Sequence, residues 1–459
     1  MSSVPLLPKV AITGLGLVSP FGAGQTSFFS ALADGRSALA LHPELSSTLP
    51  GDLARQPVWA GRVPDFGADK AVEAGKRRRM PRLSQMAIVA AREAMGLQPG
   101  AASQDAALYR RYRPDRLGVV LGTGLGCVEY TIDFVRSFLS GGLAAASPAV
   151  FPYTVMNASA GLVAIELALT GPNITVNHRE LSLAESIATG AELLLTNRAD
   201  AVLCGGCDEL GPWLYHGLWR LGALAPFLNE GDGAPLHPYE RCSGGIVPGE
   251  GAAIVLLERA DAETSAPCLG YLSGWARAGD SRHRIGWPTV AASDGQDPSQ
   301  APRAHLFSGA AQSIVQSVQS AGLRPEDVSY VAGAGNGTAC DAIETAALRA
   351  ALGQVAERVP ISSILGQCGE GQGSEQGTQG AQRQGERTAV AGAGTGVGSH
   401  GNGAKRGRAQ AHTVMPAAGG PRANQVSKTT VQAAGGACAG GRTLVCRSAR
   451  GDTDAKSAP

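Results

Sequence analysis

Gly171-Pro-Asn-Ile-Thr-Val-Asn-His-Arg-Glu-Leu-Ser-Leu-Ala-Glu-Ser-Ile-Ala-Thr-Gly-Ala-Glu-Leu-Leu-Leu195, closing at Asp200-Ala-Val-Leu-Cys-Gly-Gly206, is the stretch from which the fold is read. Ile174 to Asn177 is short, β-branched and preceded by a Gly-Pro turn, which predicts a buried strand. From about Leu181 the apolar residues Leu181, Ala184, Ile187, Ala188, Ala191, Leu194 and Leu195 recur at helical spacing. Ala201 to Leu203 predicts a second strand that ends at Gly205-Gly206. A strand that turns sharply into a buried helix presents its turn residue to the positive end of the helix dipole. Enzymes use that geometry to activate nucleophiles. The turn here carries Glu180, a carboxylate whose ionised form the dipole is expected to favour.

Outward from this stretch, composition sets the frame. A chain of 459 residues accommodates one large two-lobed domain or a few small ones, and a formal net charge of +1 implies no polyanionic partner for the molecule as a whole. Nine cysteines at irregular spacing, with no secretory leader pattern, predict reduced thiols and a cytoplasmic location. No apolar run approaches the roughly 18 residues that span a bilayer. Cys204-Gly-Gly-Cys207 is a lone pair and reads as a strand end rather than a metal or redox site. Gly14-x-Gly16 lacks the third glycine and the later acidic residue of a dinucleotide fingerprint, and Leu117-Gly-Val-Val-Leu-Gly-Thr-Gly lacks the lysine of a phosphate-binding loop. No organic cofactor and no metal is implied.

The same segments carry a family resemblance. Val10-Ala-Ile-Thr-Gly-Leu-Gly-Leu-Val-Ser-Pro20, Gly35-Arg-Ser37, Gly171-Pro with its strand and helix, and Arg241-Cys-Ser-Gly-Gly-Ile-Val-Pro-Gly-Glu250-Gly-Ala resemble the β-ketoacyl-acyl carrier protein synthases of the thiolase superfamily. Pro226-Phe-Leu belongs to the same pattern. The resemblance implies a thiolase-like α/β fold: two similar βαβαβαββ halves with mixed sheets around buried helices. It also implies that Phe151-Pro-Tyr-Thr-Val-Met-Asn157, with Gly161 in the helix that follows, lies at a dimer interface. Lys76-Arg-Arg-Arg79 reads as a solvated charge run, or, through the resemblance, as a docking patch for an acidic carrier protein.

In register with the family, three chemical positions are substituted. Glu180 stands at the nucleophilic cysteine. Counting eight back from Asp341, with Glu344 as the acidic residue beyond it, puts Gly333 at the first histidine. After Val359-Pro-Ile-Ser-Ser, Leu365 stands at the lysine and Glu370 at the second histidine. Decarboxylative condensation needs a thiolate, donors for the developing charge and amides for the oxyanion. Glu180 cannot carry a thioester, Gly333 has no side-chain donor, and Glu370 as a carboxylate only accepts. His178, Ser182, Asn336 and Cys340 are the remaining polar candidates, each readable as a structural hydrogen-bonding residue.

The organisation that follows is an N-terminal half over 8–260, a C-terminal half over 265–370 that is incomplete, and a glycine-rich basic tail over 371–459. That tail contains no Ile, Phe, Tyr or Trp, a single leucine (Leu444), and 11 Lys plus Arg against four Asp plus Glu. Such a composition is expected to be disordered, or to mark a shift of reading frame, and only Gly435 to Cys446 faintly resembles the family's last turn and strand. Without aromatic residues to stack bases it is a poor nucleic-acid ligand. The expected function is a chain-length-factor-like, non-condensing partner of an active synthase in fatty-acid or polyketide assembly. Its partners would be acyl carrier protein and a second ketosynthase chain, in a homodimer or heterodimer. The alternative is an active or residually active synthase.

Overall fold

The structure is a computed structural model and describes residues 10–225, 236, 238–239, 245–260, 268–279, 308–338, 340–371, 429–434 and 441–448. The expectations on Pro226-Phe-Leu and on Arg241 to Gly244 lie outside the described residues.

Among the described residues the main sheet is built from two sets of five strands, apart from a separate antiparallel pair, Ala40–His42 with Val58–Ala60. The first set is β1 (Val10–Ser19), β2 (Leu117–Gly122), β3 (Asn173–Val176), β4 (Ala201–Asp208) and β5 (Gly251–Arg259). The second is β6 (Gly270–Ala278), β7 (Val328–Ala332), β8 (Ile361–Ser362), β9 (Thr429–Ala434) and β10 (Gly441–Ser448). All ten lie in one 11-stranded sheet of order β8-β7-β9-β10-β6-β1-β5-β4-β2-β3, with the short pair-mate Gly22–Ala23 beside β1.

Counted within its own set, each half has the order third, second, fourth, fifth, first. The senses repeat as well. β2 runs parallel to β3 and β4, and β7 runs parallel to β8 and β9. β5 is antiparallel to β4 and β1, and β10 is antiparallel to β9 and β6. The first strands of the two halves, β1 and β6, pair antiparallel and join them. Parallel neighbours require crossover connections, so the repeat is one of chain path as well as of strand order.

The second half therefore has its full set of strands. The shortfall expected after residue 370 is made up by β9 and β10, which the composition of 371–459 had predicted to be unstructured. Averaging over a long glycine-rich stretch hides two short local patterns, Thr-Thr-Val and Thr-Leu-Val-Cys, whose β-branched residues suit a pleated, covered surface. Leu444 and Val445 are 2% and 0% exposed.

Helices cover both faces of the sheet. Helix α1 (Arg82–Ala94) buries Leu83, Met86, Ile88 and Ala91 against β1 and β5. Gly14 and Gly16 let it approach: a Cβ at either would overlap a carbonyl oxygen of Ala94 or Ala90. Those glycines thus serve helix–sheet packing. Helix α2 (Val128–Gly141) lies along the surface, and α3 (Ala158–Leu167) packs on α1 and β2. Helix α4 (Ser182–Leu195) is the buried helix expected from Leu181 onward; Leu183, Ile187, Ala191 and Leu194 lie in one apolar cluster with Ile364, Leu365 and Cys368 of the second half. Cys204 and Cys207 are buried free thiols within β4. Glu250 is a structural anchor, 3% exposed and accepting from the Arg82 guanidinium (2.9 Å), the Val63 N–H (3.0 Å) and the Leu210 N–H (3.1 Å).

Candidate active site

The turn after β3 and the turn after β8 occupy corresponding places in the two halves, each beyond the C-terminal end of its third strand. The open side of an α/β sheet where the strands' carboxyl ends meet is the usual place for a site. Glu180 lies in the first of these turns; Glu370 follows the second, beyond the helical turn Leu365–Cys368, where it bridges to Pro248.

Residues Arg179–Leu181 form a single 3-10 turn that feeds α4. Arg179 has φ of 50°, a left-handed conformation uncommon for a residue with a side chain. Ser182 locks the turn, its hydroxyl accepting the His178 N–H (2.9 Å) and reaching the Thr123 carbonyl (3.1 Å). Asn177 donates to the carbonyls of Thr123 and Gly124, both at 3.0 Å. Asn177, His178 and Arg179 are exposed, whereas Glu180 is partly buried. Burial pushes the Glu180 carboxyl above its ordinary range, against the opposing pull of its own backbone N–H and the Arg179 charge. Desolvation therefore outweighs the stabilisation of the anion expected at this helix end.

Glu370 is 2% exposed. Its backbone is held on both sides, its N–H donating to the Val247 carbonyl and its carbonyl accepting from the Gly249 N–H, both at 2.7 Å. Its Oε1 accepts from Asn336 Nδ2 at 3.4 Å, and its Oε2 is buried with no hydrogen-bond partner among the described residues. Burial, and after it the charge of Glu180, hold the Glu370 carboxyl well above the usual range. Burial thus favours its acid form, the form that has an O–H to donate.

Asn336 is 4% exposed, and its orientation follows from its neighbours. Its Oδ1 accepts from the Thr338 hydroxyl (2.7 Å) and N–H (3.2 Å), which turns the amide nitrogen toward Glu370. The loop is drawn in by two buried acids. Asp341 accepts the N–H groups of Asn336 (2.8 Å) and Gly337 (3.1 Å), and Glu344 those of Ala334 (2.9 Å) and Gly335 (3.3 Å). Tyr239 donates its hydroxyl to Glu344 at 3.0 Å. Burial moves the Glu344 carboxyl up to about 7.

Gly333 is placed differently. It follows β7 with its N–H on the Ser362 carbonyl (2.9 Å), and a Cβ there would strike the Tyr239 hydroxyl and Ile361. The residue of this loop that reaches Glu370 is Asn336, three positions on, which sequence spacing alone ranks only among polar candidates. Cys340 opens α5 (Cys340–Leu352), its N–H on the Thr338 hydroxyl at 3.1 Å. Leu365 is 1% exposed in the apolar cluster.

A second surface flanks the site. Val135, Phe138 and Leu139 of α2, Leu143, Phe151, Val155, Met156, and Ile165 of α3 are large apolar side chains left between 42% and 84% exposed. Phe134 and Phe151 pack at 5.7 Å between ring centroids, and a Cβ at Gly161 would meet open space. Lys76 of the basic run pairs with Glu166 at 2.7 Å, next to Ile165, while Arg78 and Arg79 are exposed.

Comparison with known proteins places this geometry. Residues 8–263 match the N-terminal domain of beta-ketoacyl synthases and residues 289–380 match the C-terminal domain. A 3-oxoacyl-[acyl-carrier-protein] synthase 2 from Synechocystis is 29% identical over 369 residues, 79% of this chain and 81% of the relative. The tetracenomycin polyketide synthase ketoacyl synthase alpha subunit of Streptomyces glaucescens is 29% identical over 387 residues, 80% of this chain and 82% of that one. The solved ishigamide ketosynthase/chain length factor superposes with a TM-score of 0.71 at 19% identity, covering 96% of this chain and 99% of the other. Its fold is the thiolase-like arrangement of the two halves described above.

Proposed function

The chain belongs to the beta-ketoacyl synthase family of fatty-acid and polyketide biosynthesis, and from that premise we propose that it is a non-condensing, chain-length-factor-like partner of an active ketosynthase. The observation that carries this reading is the pair Glu180 and Glu370 at the two strand-end turns. An acyl group cannot be held there as a thioester on Glu180, and an ionised Glu180 repels the carboxylate of a malonyl unit. This reading takes Glu180 to stand at the family's nucleophilic cysteine, Gly333 at its first histidine and Glu370 at its second, the register expected from the sequence.

The apolar surface from Val135 to Ile165 supports a ketosynthase-type subunit as partner, since patches of this kind mark protein interfaces. The adjacent Lys76, Arg78 and Arg79 suit an acidic carrier protein by charge. Co-expression with a ketosynthase from the same gene neighbourhood, followed by sizing and assay with malonyl-acyl carrier protein, tests the assignment. The expected result is a heterodimer that forms carbon–carbon bonds only when both chains are present, and that Ile165→Glu dissociates. Product from this chain alone would sink the reading in favour of a residually active synthase.

A further inference from the structure

We propose that Tyr239 is both a plug and a positioning residue at the candidate site. Reaching from the first half into the second, its phenol fills the space in which a side chain at position 333 would begin, and it fixes the loop that turns Asn336 toward Glu370. The chemical meaning of position 333 rests on the family register used for the partner-subunit reading, whereas the packing rests on geometry alone. Leu236, Pro238 and Tyr239 precede β5 in the chain but lie against the second half. Leu236 is 5% exposed in the apolar cluster that holds Leu365, and a Cβ at Gly366 would meet the Pro238 ring at 3.3 Å. Tyr239 goes deepest. A Cβ at Gly333 would overlap its hydroxyl, and a Cβ at Gly335 would come within 2.7 Å of its ring carbon Cε2. No Cβ packs that closely, so the two glycines are the counterpart of this one ring.

Two hydrogen bonds hold Tyr239 in place. Its N–H donates to Asp341 Oδ2 (2.8 Å) and its hydroxyl to Glu344 Oε2 (3.0 Å). The same two carboxyls accept the N–H groups of Ala334, Gly335, Asn336 and Gly337. One residue thus sits on both acids that shape the loop. Tyr239 has φ of 64°, a left-handed conformation that a residue with a side chain keeps where its surroundings over-determine it. The phenol has one proton, and Glu344 engages it, so the filled slot has no donor left for a ligand. The donor that this loop turns toward Glu370 is the Asn336 amide. Gly333 is therefore one partner of a steric exchange, and a side chain can return to position 333 only as the phenol hydroxyl is removed.

A double-mutant cycle on the full purified chain tests this, with Gly333→Ala, Tyr239→Phe and the pair together. Gly333→Ala should lower the melting midpoint by about 5 °C, as overpacking does. The double variant, whose ring no longer carries the overlapping oxygen, should melt above Gly333→Ala alone although it holds one hydrogen bond fewer. Should Gly333→Ala fail to fold, recovery of folded protein in the double variant gives the same sign. Shifts that simply add overturn the plug. The second readout is the side-chain amide of Asn336 in protein labelled with nitrogen-15 asparagine, its signals identified by their loss in Asn336→Asp. Tyr239→Phe should shift these signals and speed their hydrogen exchange, and signals that stay in place overturn the positioning role. The cycle needs neither partner nor substrate, so its failure leaves the partner-subunit reading standing. Product from this chain alone would sink that reading and leave the packing of Tyr239 untouched.

Discussion

Glu209 shows at the scale of one residue how burial sets charge in this protein. It directly follows β4, is 6% exposed, and accepts the Leu83 N–H at the start of α1 with Oε2 (3.0 Å), while Oε1 is buried without a hydrogen-bond partner among the described residues. Burial raises its carboxyl to about 7, opposed by the Leu83 N–H and helped by the charges of Glu129 and Glu250. A carboxyl raised in the folded state keeps its proton while the unfolded chain has already lost its own. Its contribution is therefore complete below the ordinary value of 4.5 and is lost as pH rises toward about 7. Glu209→Gln keeps an acceptor for Leu83 and removes the titration. Its stability relative to wild type is expected to increase across that window in denaturant melts, and a pH-independent difference would contradict the assignment. The sequence makes Glu180 and Glu370 visible through register with a family. It could not show that burial lifts the Glu370 carboxyl above its ordinary range, because that depends on segments distant in the chain that cover it.

At the scale of elements, the close approach of α1 to β1 is a property of Gly14 and Gly16. The spacing of these glycines also opens a dinucleotide-binding motif, and only the position of Ala90 and Ala94 across the gap decides between the two readings. Gly16→Ala should push the helix from the sheet and destabilise the protein by about 3 kcal/mol, near the upper end for overpacking; a thermal or denaturant melt within 1 kcal/mol of wild type, an order-of-magnitude threshold, would refute the packing role. Helix α4 and strand β3 were legible because apolar periodicity and a Gly-Pro turn are local signals. The expected strand Ile174 to Asn177 lies at Asn173–Val176, one residue earlier, and it is not the buried strand expected: it ends the sheet order, with only Val176 buried. The loop carrying Asn336 was not legible as part of the site. Its shape comes from Asp341, Glu344 and Tyr239 gathering backbone N–H groups, and spacing from Asp341 points instead to Gly333.

For the whole molecule, the decisive feature is that the sheet is completed by β9 and β10. β10 lies between β6 and β9, so it links the first strand of the second half to the rest of that half. Leu444 belongs to the same apolar cluster as Leu183, Leu257 and Leu272. Leu444→Ala should cost about 2–5 kcal/mol, the range for a buried leucine, whereas an unpacked tail would register almost nothing. A chemical denaturation curve of the full chain distinguishes the two. Among the described residues no helix is long and apolar enough to cross a membrane.

By itself the sequence determined the family, the thiolase-like α/β class and the position of Glu180 at a strand-to-helix turn, since each is written in local pattern and motif. Only the tertiary structure decided that two short strands from a glycine-rich basic stretch complete the second half, that Asn336 rather than Gly333 meets Glu370, and that burial raises the Glu370 carboxyl above its ordinary range. These depend on pairing and burial between distant segments. The energy of a strand or a carboxyl is set by what covers it, which no short window of the chain contains.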